Sequence, residues 1–345
     1  MTTLQDVLHQ IAGGTFPIDP PPINGTTLSQ PSTLSFIGED VAAALASAKP
    51  VAPTPAPAGA RYPAIYAFGD SSTDTGNVSL ATLGMIPVSP PYADRSFSNG
   101  PVWVQDLAHD LGIPALNPSL AGGTDFAYGA AETGQTPVHT LNPTDLTSQY
   151  AQFLTQAPSP QPGALYAVWI GSNDVLGIAN NSSLTPAQQQ ADVASAVNNE
   201  VAVIGGLAAH GAQNMVVLNV PDLGKTPYEQ ARGAAAAGTA SSLAALYDAD
   251  LSNALKPLEA SGALRVDLVD TFSLLNKVEA DPAAYGFTNV SDPVWTGNLT
   301  SASSGTLRAA GSVQNQFLYF DSLHPTAQAH AMLAAGIAQG LTGVA

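Results

Sequence analysis

The chain has 345 residues, 45% of them hydrophobic, which is material for one large core with an appendage, and no apolar run reaches the length of a membrane span. Its 26 acidic residues against nine basic ones leave a formal charge of −17, so nucleic acid and anionic bilayers would be repelled over most of the surface. Cysteine is absent, which removes thiolate zinc sites and redox pairs.

Residues 1–61 read as an N-terminal extension. Segments 2–11 and 37–48 have short amphipathic helical patterns, separated by the turn-rich stretch 19–25, and residues 49–60 form a Pro/Ala-rich linker. Such an extension suits docking on the domain, on a second copy or on an external partner. Its start lacks the basic opening and apolar core of a secretory signal. The remainder, 62–345, reads as one domain. Strands are expected at 63–68, 124–128, 164–170, 214–220, 264–269 and 316–320, and helices at 102–111, 186–209, 227–258 and 327–341. Thr185-Pro186 makes an N-cap with proline in the first turn, and Gly211 a stop. This alternation predicts an α/β fold with a parallel sheet covered by helices on both faces.

Polar motifs interrupt the apolar runs at telling places. Phe68-Gly69-Asp70-Ser71 follows the first run and offers a hydroxyl where a buried strand would end. Asp321-Ser322-Leu323-His324 follows the last run and supplies an imidazole with a carboxylate three residues before it. A serine hydroxyl is a poor nucleophile unless a base removes its proton, and a carboxylate can hold that base in the required tautomer. Acyl transfer also needs donors for the oxygen that becomes negative. Asn173, in Gly171-Ser172-Asn173-Asp174, offers a side-chain amide after the third run. Gly129, in the Gly-rich 122–131 stretch, offers a backbone N–H with no side chain to obstruct it. Each motif lies just past a predicted strand, so an open parallel sheet would gather them on one rim.

On these residues the chain resembles the GDSL-type lipase/esterase family of the SGNH hydrolase superfamily. The resemblance is carried by Ser71, Gly129, Asn173 and His324, by Asp321, and by the supporting stretches 97–104, 219–224 and 285–290, in family order over residues 62–340. It implies a flavodoxin-like three-layer α/β/α fold with a central, mainly parallel sheet of about five strands. It implies Ser71 as nucleophile, His324 as base and Asp321 as triad acid, with Ser71, Gly129 and Asn173 as oxyanion donors. Two positions depart from the family pattern: Ser72 stands where leucine is usual, and Asp125 where many relatives carry asparagine. No GxSxG elbow, HExxH or P-loop occurs.

The function so implied is serine carboxylic ester hydrolysis needing no cofactor and no metal, on a small-molecule or carbohydrate-borne ester. An acyltransferase would share the same acyl-enzyme, and a non-catalytic binding protein on this fold is the third alternative. Short-chain acyl or acetyl esters are expected, because no long apolar lid is visible. Tyr92 and Phe97, in a Pro/Ser/Asn-rich loop after the nucleophile, are the expected ligand-facing side chains. Of the other histidines, His330 is the one expected near the site. Absent cysteine and scarce lysine are compatible with secretion by a non-Sec route, as in some bacterial relatives.

Overall fold

A computed structural model describes residues 60–134, 144–262 and 264–343. Nearly all of the anticipated extension and linker lies outside the described residues. Four parallel strands form the central sheet: β1 (Ile65–Gly69), β2 (Leu165–Trp169), β3 (Asn214–Leu218) and β4 (Arg265–Val269), in that spatial order. Helices separate them along the chain: α1 (Asn77–Ala81), α2 (Trp103–Asp110) and α3 (Leu146–Gln156) precede β2, then α4 (Ser172–Asn180) and α5 (Pro186–Ala209) precede β3. Next come α6 (Pro227–Ala231) and α7 (Ala234–Ala260), then β4 and α8 (Thr271–Ala280). The short strands β5 (Asn289–Pro293) and β6 (Phe317–Tyr319) lead to α9 (Ala327–Thr342).

Strands β1 to β3 are apolar almost throughout because both faces are covered, whereas the edge strand β4 carries Arg265 and Asp267 and is partly exposed. On one face Tyr66, Phe68, Tyr166, Val168, Met215 and Val217 pack against residues from α3, α4, α5 and α7, with Phe153 at the centre of an aromatic group. On the other, Ile65, Ala67, Leu165, Ala167, Val216 and Leu218 meet Trp103 and Leu107 of α2 and Ile337 and Leu341 of α9. Alternate residues of one strand thus point into two separate cores, which makes three layers.

Two expected strands behave differently. Segment 124–128 is not a regular strand, yet it lies parallel along the free edge of β1: Ala67 N donates to Thr124 O at 3.0 Å, Phe126 N to Ala67 O at 2.8 Å and Tyr128 N to Gly69 O at 3.2 Å. Counting it, the order is that of a flavodoxin-like sheet, with the progression of strand order reversing between β1 and β2. Segment 316–320 does not join the central sheet. β6 pairs instead with β5 in a separate parallel ladder, because the chain folds back on itself: Phe320 N donates to His324 O at 2.8 Å and Thr326 N to Leu318 O at 2.9 Å.

The helix expected over 227–258 is two helices. Gly233 takes a φ of +98°, which glycine alone adopts readily, and this breaks α6 from α7. Thr185 caps α5 as anticipated, accepting from Gln188 N at 3.3 Å while Gln188 returns a side-chain acceptor to Thr185 N at 2.9 Å. No helix among the described residues is long and apolar enough to cross a membrane.

Candidate active site

The nucleophile loop is built from the end of β1. Gly69 is required there, since an added Cβ would lie 2.3 Å from the Trp169 carbonyl oxygen of the neighbouring strand. The buried amide of Gln149, on α3, holds Gly69 at both ends: Gly69 N donates to its Oε1 at 2.9 Å, and its Nε2 donates to Gly69 O at 2.8 Å. Past Gly69 the backbone turns tightly, with Thr73 N and Asp74 N both donating to Asp70 O at 3.0 and 2.9 Å. Ser72 N donates to Asp70 Oδ1 at 2.9 Å. This leaves Ser71 half-buried at the rim, beside the point where strand order reverses.

His324 arrives from the turn after β6. Asp321 Oδ1 accepts Leu323 N at 2.8 Å and His324 N at 2.7 Å, which closes the turn and fixes where the imidazole starts. Asp321 Oδ2 lies 2.7 Å from His324 Nδ1, and His324 Nε2 lies 2.9 Å from Ser71 Oγ. Three side chains separated by up to 253 positions thereby form one hydrogen-bonded line. Ser71, and not Ser72, is the hydroxyl in contact with the imidazole.

Tyr92 and Phe97 do not line the cleft in front of Ser71; they are buried behind the imidazole. The Tyr92 hydroxyl donates to Asp321 Oδ2 at 2.6 Å, and its ring packs edge-on against Phe320 at 5.0 Å. The Phe97 ring sits 5.4 Å from the His324 ring and against Gly129, where a Cβ would fall 2.4 Å from Phe97 Cζ. A polar, turn-rich local sequence suggests ligand-facing aromatics here; the neighbouring apolar cluster with Val294, Trp295 and Phe320 draws them in.

The oxyanion side shows one clear correction. Gly129 N–H is already committed, donating to Asp74 Oδ2 at 2.9 Å. Asp74 is wholly buried and also accepts from Gly76 N, Asn77 N and Val78 N at 2.7, 2.6 and 3.1 Å, so it ties the nucleophile loop to the 129 loop. The next residue, Ala130, is half-buried and takes a left-handed φ of +63°. Asn173 sits in the first turn of α4 on the cleft wall; one amide hydrogen donates to Ala131 O at 2.9 Å, and the other remains for a ligand. Asp174 grips the same loop from beyond, accepting from Thr133 N at 3.0 Å and Thr133 Oγ1 at 2.7 Å. Asp125 is buried away from the cleft, accepting from Thr75 N and Thr75 Oγ1, both at 2.7 Å.

Burial disfavours charge on His324, but the Asp321 carboxylate and its hydrogen bond outweigh that, with help from Asp70, and hold the imidazole above its ordinary 6.5. Burial likewise works against Asp321, yet His324 and the Tyr92 hydroxyl keep it below the usual carboxylate range. Asp70 is pushed up to about 6 by burial, against the pull of Ser72 N–H and His324. A base must be neutral to accept a proton, so kcat/KM is expected to rise with pH through an apparent pKa above 6.5. Asp70→Asn removes one negative neighbour of the imidazolium, and that limb should then move to lower pH. A kcat/KM profile between about pH 5 and 9 reads the shift; an unmoved limb would disprove the coupling.

Behind the site, buried carboxyl groups gather. Burial raises Glu200 and Asp248 to about 8 each; Glu132 rises through burial and the charges of Asp174 and Asp145, and Asp174 through burial and the charge of Asp70. Groups raised on folding contribute stability fully below their unfolded pKa and lose it as pH climbs through the folded one. His330, buried and lowered to about 3, acts oppositely: its contribution is present above its unfolded 6.5 and is lost as pH falls through 3. The thermal midpoint is therefore expected to decline steadily between roughly pH 5 and 9, where the four carboxyl groups dominate. Calorimetry across that range checks it; a midpoint rising toward pH 9 would contradict the buried-acid account.

An activated serine, an oriented imidazole and an amide donor at the switch point of a flavodoxin-like sheet define a site for acyl transfer. A family model described as GDSL-like Lipase/Acylhydrolase matches residues 65–337, and the chain belongs to that family. It is 29% identical over 235 residues to a phosphatidylcholine-sterol acyltransferase of Aeromonas hydrophila, covering 68% of this chain and 66% of that protein. It is 25% identical over 277 residues to a thermolabile hemolysin of Vibrio parahaemolyticus, covering 78% and 62%. An Arabidopsis thaliana relative, 25% identical over 292 residues and covering 77% and 68%, is named an inactive GDSL esterase/lipase-like protein. The chain thus spans about two thirds of the length of these relatives. With an inactive protein among them, the case for catalysis rests on the residues. Among the described residues no three His, Asp or Glu side chains are grouped to hold a metal ion.

Proposed function

We propose that the chain is a serine carboxylic ester hydrolase working through an acyl-enzyme on Ser71. The observation that carries this reading is the continuous line Asp321 Oδ2, His324 Nδ1, His324 Nε2, Ser71 Oγ, with contacts of 2.7 and 2.9 Å. Ser71 Oγ attacks the ester carbonyl carbon while its proton passes to His324 Nε2. Asp321, with Tyr92 donating to the same oxygen, supports the resulting imidazolium and keeps Nδ1 protonated. His324 then gives its proton to the departing alcohol, and water repeats the sequence to release the acid.

The oxyanion is held by the free amide hydrogen of Asn173, the N–H of Ser71, and the N–H of Ala130 in place of Gly129. Ala130 takes this role as the next backbone N–H along the loop, because Asp74 occupies the Gly129 N–H. Asn173→Ala is expected to lower kcat by roughly 10²- to 10³-fold with the fold retained. Steady-state kinetics beside circular dichroism test it, and near-normal turnover would remove Asn173 from the site.

Mapping the adduct of a fluorophosphonate probe by mass spectrometry tests the whole reading. The modification should fall on Ser71; no modification, or one on Ser72, would reject it. Transfer to an alcohol instead of water is the second reading, favoured by the name of the Aeromonas hydrophila relative. Product analysis with a competing alcohol separates the two, since both pass through the same acyl-enzyme.

A further inference from the structure

The reaction needs one hydroxyl, one imidazole and a few donors, yet the walls beside Ser71 extend well beyond those groups. A cleft of about 120 Å³ opens from Ser71, Asn173 and His324. Beyond them its walls come from Leu274, Leu275 and Val278 of α8, Leu318 of β6, and Met332 and Leu333 of α9. Asp70, Ser72 and Ser172 border it next to Ser71 and Asn173; the polar side chains among the aliphatic ones have little to offer a ligand. Thr226 and Thr271 donate their hydroxyls to Leu223 O and Asn219 O, both at 2.6 Å. The Tyr319 hydroxyl and His330 Nδ1 are sealed from solvent, and burial keeps His330 neutral at working pH. A deep, uncharged wall of aliphatic side chains joined to an ester-cleaving centre favours an aliphatic part of the substrate.

We propose that this cleft holds an unbranched acyl chain of medium length, well beyond acetyl, between α8 and α9. The proposal rests on Ser71 forming the acyl-enzyme. The acyl group, and not the alcohol, is assigned to the cleft because it stays bound through both steps, whereas the alcohol must leave past His324. The sequence pointed to short acyl groups because no single segment is a long apolar lid. The lining is assembled instead from isolated positions on two helices and a three-residue strand.

Turnover of nitrophenyl acetate, butyrate and octanoate, below their aggregation limits, is to be compared with a series of acetates of lengthening alcohols. Each added acyl methylene is expected to raise kcat/KM roughly two- to fourfold, so that octanoate exceeds acetate by about a hundredfold or more. Leu275→Trp and Met332→Trp, on different helices and both half-buried, should each lower the octanoate-to-acetate ratio more than about tenfold, as expected when bulk displaces several methylenes. Leu275→Ala should move the optimum to longer chains. A flat acyl series, or a preference that follows the alcohol, would overturn the acyl assignment while leaving Ser71 in place. Absence of turnover in both series, with no probe adduct on Ser71, would instead bring down the hydrolase reading and this inference with it.

Discussion

Ser71→Ala is expected to reduce kcat by roughly 10⁶-fold, whereas Ser72→Ala should stay within about an order of magnitude of the parent. The two hydroxyls are adjacent in sequence but not equivalent in space. Ser71 Oγ is 2.9 Å from His324 Nε2, while Ser72 is tied through its backbone N–H to Asp70. Loss of the nucleophile removes the covalent path altogether, and the residue left over from binding and oxyanion donors gives only a small rate above water. Burst kinetics with a nitrophenyl ester are the direct measurement. A Ser72→Ala variant as damaged as Ser71→Ala would mean that the pair acts jointly.

Asp321→Asn should be nearly as severe, with kcat down by roughly 10⁴-fold, because the amide can donate to Nδ1 and so favours the tautomer that protonates Nε2. That imidazole cannot take the serine proton. Tyr92→Phe tests the same carboxylate more gently. It deletes the 2.6 Å hydrogen bond to Oδ2 without altering the charge, so a loss of roughly tenfold is expected, the effect of about one charge-assisted bond. Asp321 should then be less well held in its ionised form. If Tyr92→Phe matched Asp321→Asn in severity, the tyrosine would be doing more than orienting the acid.

The parts of this molecule that could be read from the chain are those with a local signature. Strands β1 to β3 stand out because residues such as Tyr66 and Ile65, or Tyr166 and Leu165, are apolar on both faces, and a run covered on both sides is conspicuous. Ser71, Asn173 and the Asp321 to His324 turn were visible because polar residues follow those runs at once. What escaped depends on contacts across the fold. Asp74 gripping Gly129 spans 55 positions, Gln149 holding Gly69 spans 80, and Tyr92 reaching Asp321 spans 229. Nothing near Asp74 or Gln149 marks them as anything but ordinary polar residues. Segment 316–320 has the apolar character of a sheet strand, and only its pairing with β5 and its return through Thr326 place it elsewhere.

The setting of the base on a ladder outside the central sheet bears on when the protein becomes competent. During synthesis the nucleophile emerges early, on β1, which can pair with β2, and β2 with β3, long before residue 324 exists. Its partner imidazole is delivered only when the turn after β6 seats and α9 packs against α2. Until then the Ser71 hydroxyl has no base, and because α9 also covers one face of β1 and β2, reactivity arrives together with the completion of the second core.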